Sequence, residues 1–365
     1  MISSSKKKAF QGIWIIIGFI FVLEGIPAFG SNYLLNGGQE SQIHYEMVQK
    51  IQPATGTRLL KLSYVVPKPF ISPTYRQNIV DLSFKFFPRP SEKKERTDQR
   101  GNKVVEATWR SPARPVTTTI GLTAMNSVRL QTLKTDAPFP LRRLPKEVNV
   151  YLQSTEQVPS NDPQIRSKAR ELTASANTEF DAVQRILTWV VDHMHYILTP
   201  ERYDAGFAFQ TGKGNCQNYS HLSAALMRAV GIPVRIVNGI TLKEPYDVKI
   251  GNHTLTMKMA QGRHSWIEIF FPDLDWVPFD PQGTELFVSN RFIRVAVGLD
   301  NNETVHDGLI RRSHSRAAAG RPLFDERISA NFLSDRVGIL TRNSAHGPRG
   351  LRMSPFVHTV FLRIP

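Results

Sequence analysis

The sequence predicts an α+β protein in which an antiparallel β-sandwich domain precedes a core of helices and strands. Residues 40–155 contain short runs of alternating apolar and polar residues, the pattern of half-buried strands. From residue 161 the apolar residues recur at spacings of three and four, as in amphipathic helices, and after residue 233 the strand pattern returns. We predict four segments: 1–30 (N-terminal segment), 31–158 (β-rich domain), 159–300 (mixed core) and 301–365 (basic extension).

The first thirty residues have the three-part pattern of an export signal. Lys6 to Lys8 precede an apolar run at 13–23, and Ala28-Phe29-Gly30 is typical of a cleavage site. The run is shorter than the about 20 apolar residues that a membrane-spanning helix needs. We therefore expect a periplasmic or secreted protein with a cleaved signal. Retention of this segment as a membrane anchor is the alternative.

The charge of the chain indicates anionic surroundings. Its 46 Lys and Arg residues outnumber 31 Asp and Glu residues, which gives a formal net charge of +15 at pH 7. Such an excess favours a membrane face, a cell-wall polymer or nucleic acid. The basic residues are scattered, without the aromatic and basic pattern of a nucleic-acid-binding module. We expect peripheral association with the cell envelope and no nucleic-acid partner.

The β-rich domain is predicted from runs of alternating apolar and polar residues that are separated by turn residues. Between two of these runs, residues 91–103 are densely charged and predict a solvated hairpin loop rather than a binding site. The predicted strands are 59–66, 79–87, 104–109 and 116–120.

Three helices are predicted in the core. Asp162-Pro163 is the start signal of the first, and the apolar residues of the second extend from Phe180 to Met194. The third begins at Cys216 and ends at Gly231-Ile232-Pro233. A strand follows at 234–240, and the polar residues 243–263 predict a loop or an inserted hairpin.

Two histidines late in the second helix are a weak metal signal. His193 and His195 differ by two positions, which places them on different faces of a helix. We therefore predict that they are cap or surface residues rather than metal ligands.

Cys216 is the only cysteine of the chain, and it stands where a loop enters the third helix. The helix dipole and the unpaired N–H groups of a first turn favour the thiolate, the nucleophilic form. A single cysteine excludes an intramolecular disulfide and a cysteine-rich zinc site. Its remaining structural role is that of a small buried apolar group. Taken alone, Cys216 fits either interpretation.

A predicted hairpin supplies possible partners for the cysteine. Residues 264–271 and 276–281 alternate as two strands, with turn residues between them. If the strands pair about a centre near residue 272, His264 lies opposite Asp280, with Cβ atoms about 4.5–5.5 Å apart. A carboxylate there would fix the imidazole tautomer and stabilise its cation. Cys216, His264 and Asp280 would then be nucleophile, base and orienting group for thiol acyl transfer.

Each hairpin residue also has an ordinary interpretation. His264 fits a strand edge, Asp280 fits a turn before proline, and Glu268 fits a solvent-facing strand position. The combination of His264 and Asp280 with a cysteine at a helix start favours the catalytic interpretation.

Four blocks of the sequence resemble the transglutaminase-like superfamily over about residues 160–300. The resemblance implies a papain-like α+β core with a Cys–His–Asp triad at Cys216, His264 and Asp280. It also implies acyl transfer through a thioester, on a protein or peptide amide substrate. The charge of the chain adds the expectation that this substrate includes cell-envelope material. Hydrolysis of amide or peptide bonds is favoured over cross-linking. The blocks are Gly-Asn-Cys-Gln-Asn-Tyr-Ser at 214–220, the helix end and Gly-Ile-Pro-Val-Arg at 226–235, His-Ser-Trp-Ile-Glu at 264–268 and Trp-Val-Pro-Phe-Asp-Pro at 276–281.

Two features qualify this resemblance. Asn238-Gly239-Ile240 stands where such proteins often have Gly-Tyr after the Arg-containing strand. This departure leaves the triad untouched and affects what the resemblance implies about the acyl-acceptor pocket. Gln210 lies six residues before Cys216, the offset at which papain-like enzymes place an amide donor. It is a candidate oxyanion helper beside the Cys216 N–H, with an ordinary loop glutamine as the alternative. No loop has calcium-binding spacing, so we predict neither metal nor cofactor.

The last part of the chain lies outside the resemblance. After Asn301 the sequence is rich in arginine and ends in an apolar segment at 356–362, which predicts a basic extension with one terminal strand. The alternative function is that of a non-catalytic, envelope-associated binding or scaffold protein that keeps the fold. The complete Cys–His–Asp set argues against this alternative.

Overall fold

The computed structural model describes most of the chain from Asn32 onward. Within this part, no helix has the length and apolarity to cross a membrane. The predicted export signal at 1–30 lies outside the described residues, as does most of the predicted apolar segment at 356–362. The described ranges are 32–130, 133–242, 246–250, 253–257, 262–282, 288–305, 308–314, 322–344, 351–352 and 360–363.

The β-rich domain is an antiparallel sandwich, as predicted. One sheet has the strand order β17-β1-β7-β4-β3, with β18 beside β1, and the other has the order β16-β2-β6-β5. Buried residues of both sheets, among them Ile43, Leu62, Trp109 and Leu122, form one apolar cluster. The strands are β1 (Asn32–Gln52), β2 (Thr57–Val65), β3 (Phe70–Ile71), β4 (Tyr75–Phe87), β5 (Glu92–Thr97), β6 (Lys103–Arg110), β7 (Val116–Leu130), β16 (Leu309–His314), β17 (Leu323–Ser344) and β18 (Leu351–Arg352).

The charged segment at 91–103 is not a loop throughout, which corrects the prediction. Its first half is the edge strand β5, which pairs with β6, and only the tip of this hairpin is a turn. Ion pairs such as Lys94 to Glu92 (2.6 Å) and Lys103 to Glu95 (2.8 Å) lie on its exposed face. Because an edge strand faces water, its charged side chains are compatible with backbone pairing.

The C-terminal segment completes both sheets of the sandwich. β17 pairs with β1 along almost its whole length, and β16 pairs with β2. The prediction of a single terminal strand is therefore wrong. Ile328, Ala330 and Phe332 occur at every second position of β17 and pack against the sandwich cluster. This alternation is a strand signal that the sequence analysis did not use.

The core after residue 160 combines helices with a four-stranded antiparallel sheet of order β14-β13-β10-β15. The three predicted helices are present, and a short helix, α3, was not predicted. The helices are α1 (Pro163–Thr173), α2 (Glu179–His193), α3 (Ala205–Thr211) and α4 (Cys216–Ala229), after a 3₁₀ turn at Asn149–Leu152. The strands are β8 (His195–Tyr196), β9 (Lys213–Gly214), β10 (Val234–Thr241), β13 (Gly262–Phe271), β14 (Asp275–Phe279) and β15 (Phe292–Gly298).

The polar segment at 243–263 contains a hairpin, one of its two predicted alternatives. β11 (Tyr246–Ile250) pairs with β12 (His253–Met257), and β12 also pairs with β19 (Val360–Arg363). The fold class α+β, with a papain-like core after a β-sandwich, is confirmed.

The helices begin where the sequence supplies caps. The Asp162 side chain accepts hydrogen bonds from the N–H groups of Gln164 and Ile165, and Thr178 caps α2 in the same manner. The central helix, α4, is buried along most of its length, and Leu222 and Leu226 pack with residues of the other helices and of β13. This burial fixes α4, and with it Cys216, between helices and sheet.

The sandwich and the core are joined through β15. The Tyr75 hydroxyl donates to the carbonyl of Phe292 (2.8 Å), and the Gln77 side chain donates to the carbonyl of Arg294 (2.9 Å). Ile293 and Val295 belong to the apolar cluster of the sandwich. The sheet that carries His264 therefore rests on the β-sandwich as well as on the helices.

Candidate active site

The residues around Cys216 form a capping box at the start of α4. The Asn215 side chain accepts from the N–H of Gln217 (3.0 Å), and the Asn218 side chain accepts from the N–H of Asn215 (3.2 Å). The Asn218 amide group also donates to the carbonyl of Arg202 (3.0 Å). Cys216 is the first residue of the helix and is partly exposed. Its sulfur thus lies at the positive end of the helix dipole.

Gly214 is required by this cap. A Cβ atom at this position would lie 2.2 Å from the Cβ of Asn218, a distance that no real pair of side chains adopts. The backbone of Gly214 also accepts a hydrogen bond from the N–H of Ile197 (2.9 Å), beside its pairing with Tyr196. The glycine therefore brings β8 and the helix start together.

His264 and Asp280 are in contact, with Nε2 of the imidazole 3.1 Å from Oδ2 of the carboxylate. Both side chains are about nine-tenths buried. Asp280 also accepts from the N–H of Gln282 through Oδ1 (3.1 Å). Because Nε2 faces Asp280, Nδ1 of His264 is the nitrogen left to interact with Cys216.

The register of the hairpin differs from the predicted one by two residues. Glu268 pairs with Pro278 rather than with residue 276, and the ladder ends at Ile267 and Phe279. The cause is the turn, in which the N–H of Leu274 donates to the carbonyl of Phe271 and Asp275 adds a residue with φ of 61°. His264 therefore reaches Asp280 beyond the last ladder pair, and not from a directly opposed position.

Cys216 and His264 line one cleft of about 280 Å³ that is open to solvent. Two of the predicted site residues thus share a cavity, and the third, Asp280, lies behind the imidazole. The other lining residues are mostly polar: Gln217, Asn238, Arg263, Ser265, Asn301, Thr304 and Val305.

The electrostatics of the cleft favour a charged imidazole. Burial alone lowers the pKa of His264, but the Asp280 carboxylate and the Cys216 sulfur outweigh burial and raise this pKa to about 10. An imidazolium at neutral pH is the partner that stabilises a thiolate. The arrangement is therefore suited to a thiolate–imidazolium pair.

Gln210 is not among the residues that the structure brings into the cleft. It lies in the last turn of α3 and is exposed to solvent. Its role as an oxyanion helper stays a prediction. His193, the more buried of the two histidines near the end of α2, stacks on Trp189 with ring centroids 4.4 Å apart, and its Nε2 lies 3.0 Å from the carbonyl of Phe209.

Tyr196 is a residue near the cysteine to which the sequence analysis assigned no role. Burial and the negative charge of Cys216 raise the pKa of its phenol, so the phenol lies within electrostatic range of the sulfur. The pairing of Tyr196 with Gly214, two residues before Cys216, brings it there. No local signal in the sequence predicts this pairing, because two-residue strands have no periodicity.

One wall of the cleft is anchored by a buried histidine. The N–H of Asn301 donates to Nε2 of His221 (3.3 Å), and Nδ1 of His221 contacts the carbonyl of Tyr203 (2.6 Å). Complete burial lowers the pKa of His221 to about 4, so the ring is neutral at pH 7. The hydroxyl of Ser265 donates to the Asn301 side chain (3.1 Å). The loop that carries Asn301 is thus tied to both α4 and β13.

Glu268 is fully buried, which overturns the interpretation of this residue as solvent-facing. Its carboxylate accepts from Nε of Arg235 (2.5 Å) and from Nε of Arg294 (2.6 Å). Burial raises the pKa of Glu268, but the two guanidinium groups outweigh burial and lower it. The Arg294 guanidinium lies over the ring of Phe70, 4.3 Å from its centroid, and so connects the strand of His264 to the β-sandwich.

Comparison with known proteins supports the fold that this geometry shows. Residues 166–281 match the family model of the Transglutaminase-like superfamily. The crystal structure of a candidate cysteine protease from Cytophaga hutchinsonii has a TM-score of 0.61 and is 17% identical. It covers 88% of this chain and 99% of its own. At this level of identity, the likeness shows the fold.

Two curated relatives match about a third of this chain. The uncharacterized protein YebA of Bacillus subtilis is 30% identical over 139 residues, which are 36% of this chain and 18% of YebA. A protein-glutamine gamma-glutamyltransferase of Pseudomonas aeruginosa is 31% identical over 126 residues, 33% of this chain and 18% of that protein. The chain thus spans less than a fifth of the length of either relative.

Proposed function

We propose that this chain, whose residues 166–281 belong to the transglutaminase-like superfamily, is a cysteine-dependent enzyme that transfers the acyl group of amide or peptide bonds. The observation that supports this proposal is the position of Cys216 and His264 in one solvent-open cleft, with Asp280 in contact with the imidazole. In this proposal Cys216 is the nucleophile, His264 the acid and base, and Asp280 the group that orients His264.

The first half of the reaction forms a thioester. The thiolate of Cys216 attacks the carbonyl carbon, and the N–H of Cys216 at the helix start is available to the developing oxyanion. The C–N bond then breaks, and the imidazolium of His264 gives its proton to the departing amine. The products of this half are a free amine, an acyl thioester on Cys216 and a neutral imidazole.

The second half releases the acyl group. Neutral His264 takes a proton from water, the hydroxide attacks the thioester carbon and the C–S bond breaks. This restores the thiolate–imidazolium pair and yields a carboxylic acid. We favour water over an amine as acceptor because the cleft is open and lined by polar groups such as Asn238 and Ser265. Transfer to an amine requires a site that keeps water from the thioester.

The proposal includes a place of action outside the cytoplasm, in the periplasm or the medium. The export-signal pattern of residues 1–30 and the net charge of +15 support this placement. Protein or peptide material of the cell envelope is the proposed substrate. N-terminal sequencing of the mature protein tests whether residues 1–30 are cleaved as a signal or retained as a membrane anchor.

The test is alkylation by iodoacetamide as a function of pH. Because Cys216 is the only cysteine, every alkylated molecule reports this one residue. We expect the rate at pH 6 to 7 to exceed that of His264→Ala by tenfold or more, and His44→Ala, which alters an exposed histidine of β1, to match the wild type. A rate that titrates near the free thiol value of about 8.5 and is unchanged in His264→Ala overturns the proposal.

The acceptor is tested on the products. A cell-envelope extract is incubated with the protein in the presence of a dansylated alkylamine, and new carboxyl termini and dansylated chains are counted by mass spectrometry. New carboxyl termini that are absent with Cys216→Ala support hydrolysis. Dansylated chains in their place would show that transfer to amines is the reaction.

A further inference from the structure

A second cavity, of about 520 Å³, lies beside the catalytic cleft. Its walls are the tip of the β5–β6 hairpin, the loop after β15 and the strand β16, so it lies where the sandwich meets the core. The residues that matter for its chemistry are Arg96, Asp98, Arg100, Glu303, Val305 and Arg311.

The two cavities are adjacent. Val305 lines both of them, and this valine is 45% exposed although it is apolar. An extended peptide whose carbonyl group lies at Cys216 would reach the second cavity by crossing Val305. The exposed valine gives a side chain of such a peptide an apolar contact at the junction.

The carboxylates of the second cavity are already paired. Glu303 accepts from Nε (2.7 Å) and Nη2 (2.8 Å) of Arg100, in a bidentate ion pair. Asp98 accepts from the N–H groups of Arg100 (2.9 Å) and Asn102 (2.8 Å), which closes the hairpin turn. The charge of Glu303 is therefore neutralised by Arg100, whereas the charge of Asp98 is stabilised by hydrogen bonds from neutral groups.

Arg311 is the guanidinium that these pairs do not neutralise. It is exposed on β16, and no carboxylate of the described residues forms an ion pair with it. Its neighbour across the strand pair is Lys61, whose charge is taken up by Glu106 (2.6 Å). Arg96 also contacts Glu106, with Nε 3.1 Å from the carboxylate. The lining thus holds three arginines against two carboxylates, and Arg311 is the arginine of this lining that has no ion-pair partner among the described residues.

We propose that this second cavity is a distal subsite that binds a carboxylate-bearing stretch of an extended peptide substrate, with Arg311 as the recognising group. A guanidinium that is free of an internal partner pairs with carboxylates in a bidentate geometry. This inference rests on the proposed function of Cys216 and adds the substrate class: peptides that carry acidic residues several positions from the bond that is attacked.

The binding test uses the Cys216→Ala protein, so that its outcome does not depend on catalysis. Two fluorescein-labelled peptides are compared by fluorescence anisotropy. One carries two glutamates near one end, and the other carries two glutamines at the same positions. Each peptide is made in two versions, with this pair near the amino end or near the carboxyl end. We expect one version of the glutamate peptide to bind at least fivefold more tightly than its glutamine counterpart. Arg311→Glu removes this preference, and Arg311→Gln reduces it.

Arg166→Glu is the matched control. It measures how much of the preference comes from general attraction between an acidic peptide and a positively charged protein. Arg166 is exposed on α1, away from both cavities, and its replacement changes the net charge by the same amount. We expect it to keep the preference. Equal binding of the two peptides, or equal losses in Arg311→Glu and Arg166→Glu, overturns the subsite.

Protection of Cys216 connects the subsite to the cleft. In the protein with Cys216, the glutamate peptide should slow alkylation by iodoacetamide. The ratio of the rates without and with peptide should exceed one in the protein with Arg311 and should return to one in Arg311→Glu. A peptide that binds through Arg311 without protecting Cys216 would show that the cavity is not a substrate subsite. An unactivated Cys216 with an intact Arg311-dependent preference would contradict the proposed function alone.

Discussion

Asp280 contacts Nε2 of His264 at 3.1 Å from beyond the end of the β13–β14 ladder, whose last pair is Ile267 and Phe279. The carboxylate therefore approaches the imidazole along the side away from Cys216. This position supplies both a charge and a hydrogen-bond acceptor to a ring that is otherwise buried among aromatic groups, with Phe292 5.0 Å away by ring centroids.

Replacement of Asp280 should move the alkaline limit of activity. Since the carboxylate is the main reason that the pKa of His264 lies at about 10, Asp280→Asn should shift the alkaline limb of kcat/KM to lower pH. It should also lower kcat/KM at pH 7 by about 100-fold or more. The measurement is a pH profile with a peptide substrate found in the envelope-extract assay.

Asp275→Asn is the control for this change. Asp275 is exposed on the same hairpin, and asparagine tolerates its positive φ. An alkaline limb that is the same in Asp280→Asn as in the wild type would contradict the role of the carboxylate.

The same pair makes stability depend on pH. The folded-state pKa of His264, about 10, lies above the ordinary value of 6.5. The pair therefore contributes stability that is fully present below about pH 6.5 and is lost as the pH rises through about 10. We expect the difference in Tm between the wild type and His264→Gln to shrink from pH 6 to pH 10 in thermal scans. A difference that stays constant over this range would show that the pair does not contribute in this way.

Gly214→Ala should damage the helix start that presents Cys216. The new methyl group would overlap Asn218, whose side chain closes the capping box. We expect a loss of at least tenfold in the iodoacetamide rate at pH 7 and a lower Tm. Gly121→Ala is the control, because its nearest contact would be the Ser83 hydroxyl at 3.3 Å, far from the site. An unchanged alkylation rate in Gly214→Ala would count against the cap as the source of reactivity.

Glu268→Gln should lower the free energy of unfolding by about 3 kcal/mol, because it leaves Arg235 and Arg294 buried with one negative charge removed. The measurement is urea unfolding. The control is Glu171→Gln, which removes an exposed partner of Lys168 and should change the free energy by less than about 0.5 kcal/mol. Equal effects of the two substitutions would mean that the ion pairs of Glu268 with Arg235 and Arg294 contribute little to the stability of the fold around β13.

Glu179→Gln tests a buried carboxyl group at the start of α2. Neither carboxylate oxygen has a hydrogen-bond partner among the described residues, and burial and the nearby Asp273 raise the pKa of Glu179 to about 9. The stability due to its protonated form is fully present below about pH 4.5 and is lost as the pH rises through about 9.

The expected result for Glu179→Gln is a Tm that falls less than that of the wild type between pH 5 and pH 9. Glu201→Gln, an exposed substitution, should follow the wild type over this range. If the Tm of Glu179→Gln changed with pH by the same amount as that of the wild type, the Glu179 carboxyl group would not have a raised pKa in the folded protein.

Local signals in the sequence predicted the helices and most of the strands. Asp162 caps α1 as its side-chain chemistry predicts, and Asn215 with Asn218 forms the cap that places Cys216 in a first turn. These features depend on residues within four positions of one another. Such interactions are present in the sequence itself, since helix caps and periodicity require no distant partner.

The register of the β13–β14 hairpin was not predictable to better than two residues. Alternation of apolar residues is unchanged by a shift of two, and only the turn decides between the two pairings. Here Asp275, with its φ of 61°, decides it. His264 and Asp280 nevertheless meet, because a two-residue shift keeps both side chains on the same face.

The sequence by itself determined three of the four α-helices among the described residues, most of the strands before residue 300, the position of Cys216 at a helix start and the candidate set Cys216, His264 and Asp280. The tertiary structure decided the pairing of β17 with β1, the burial of Glu268 between two arginines and the anchoring of Asn301 on His221. Each of these contacts joins residues that are far apart in the chain. Their partners are selected by the packing of whole sheets and helices, which no local pattern encodes.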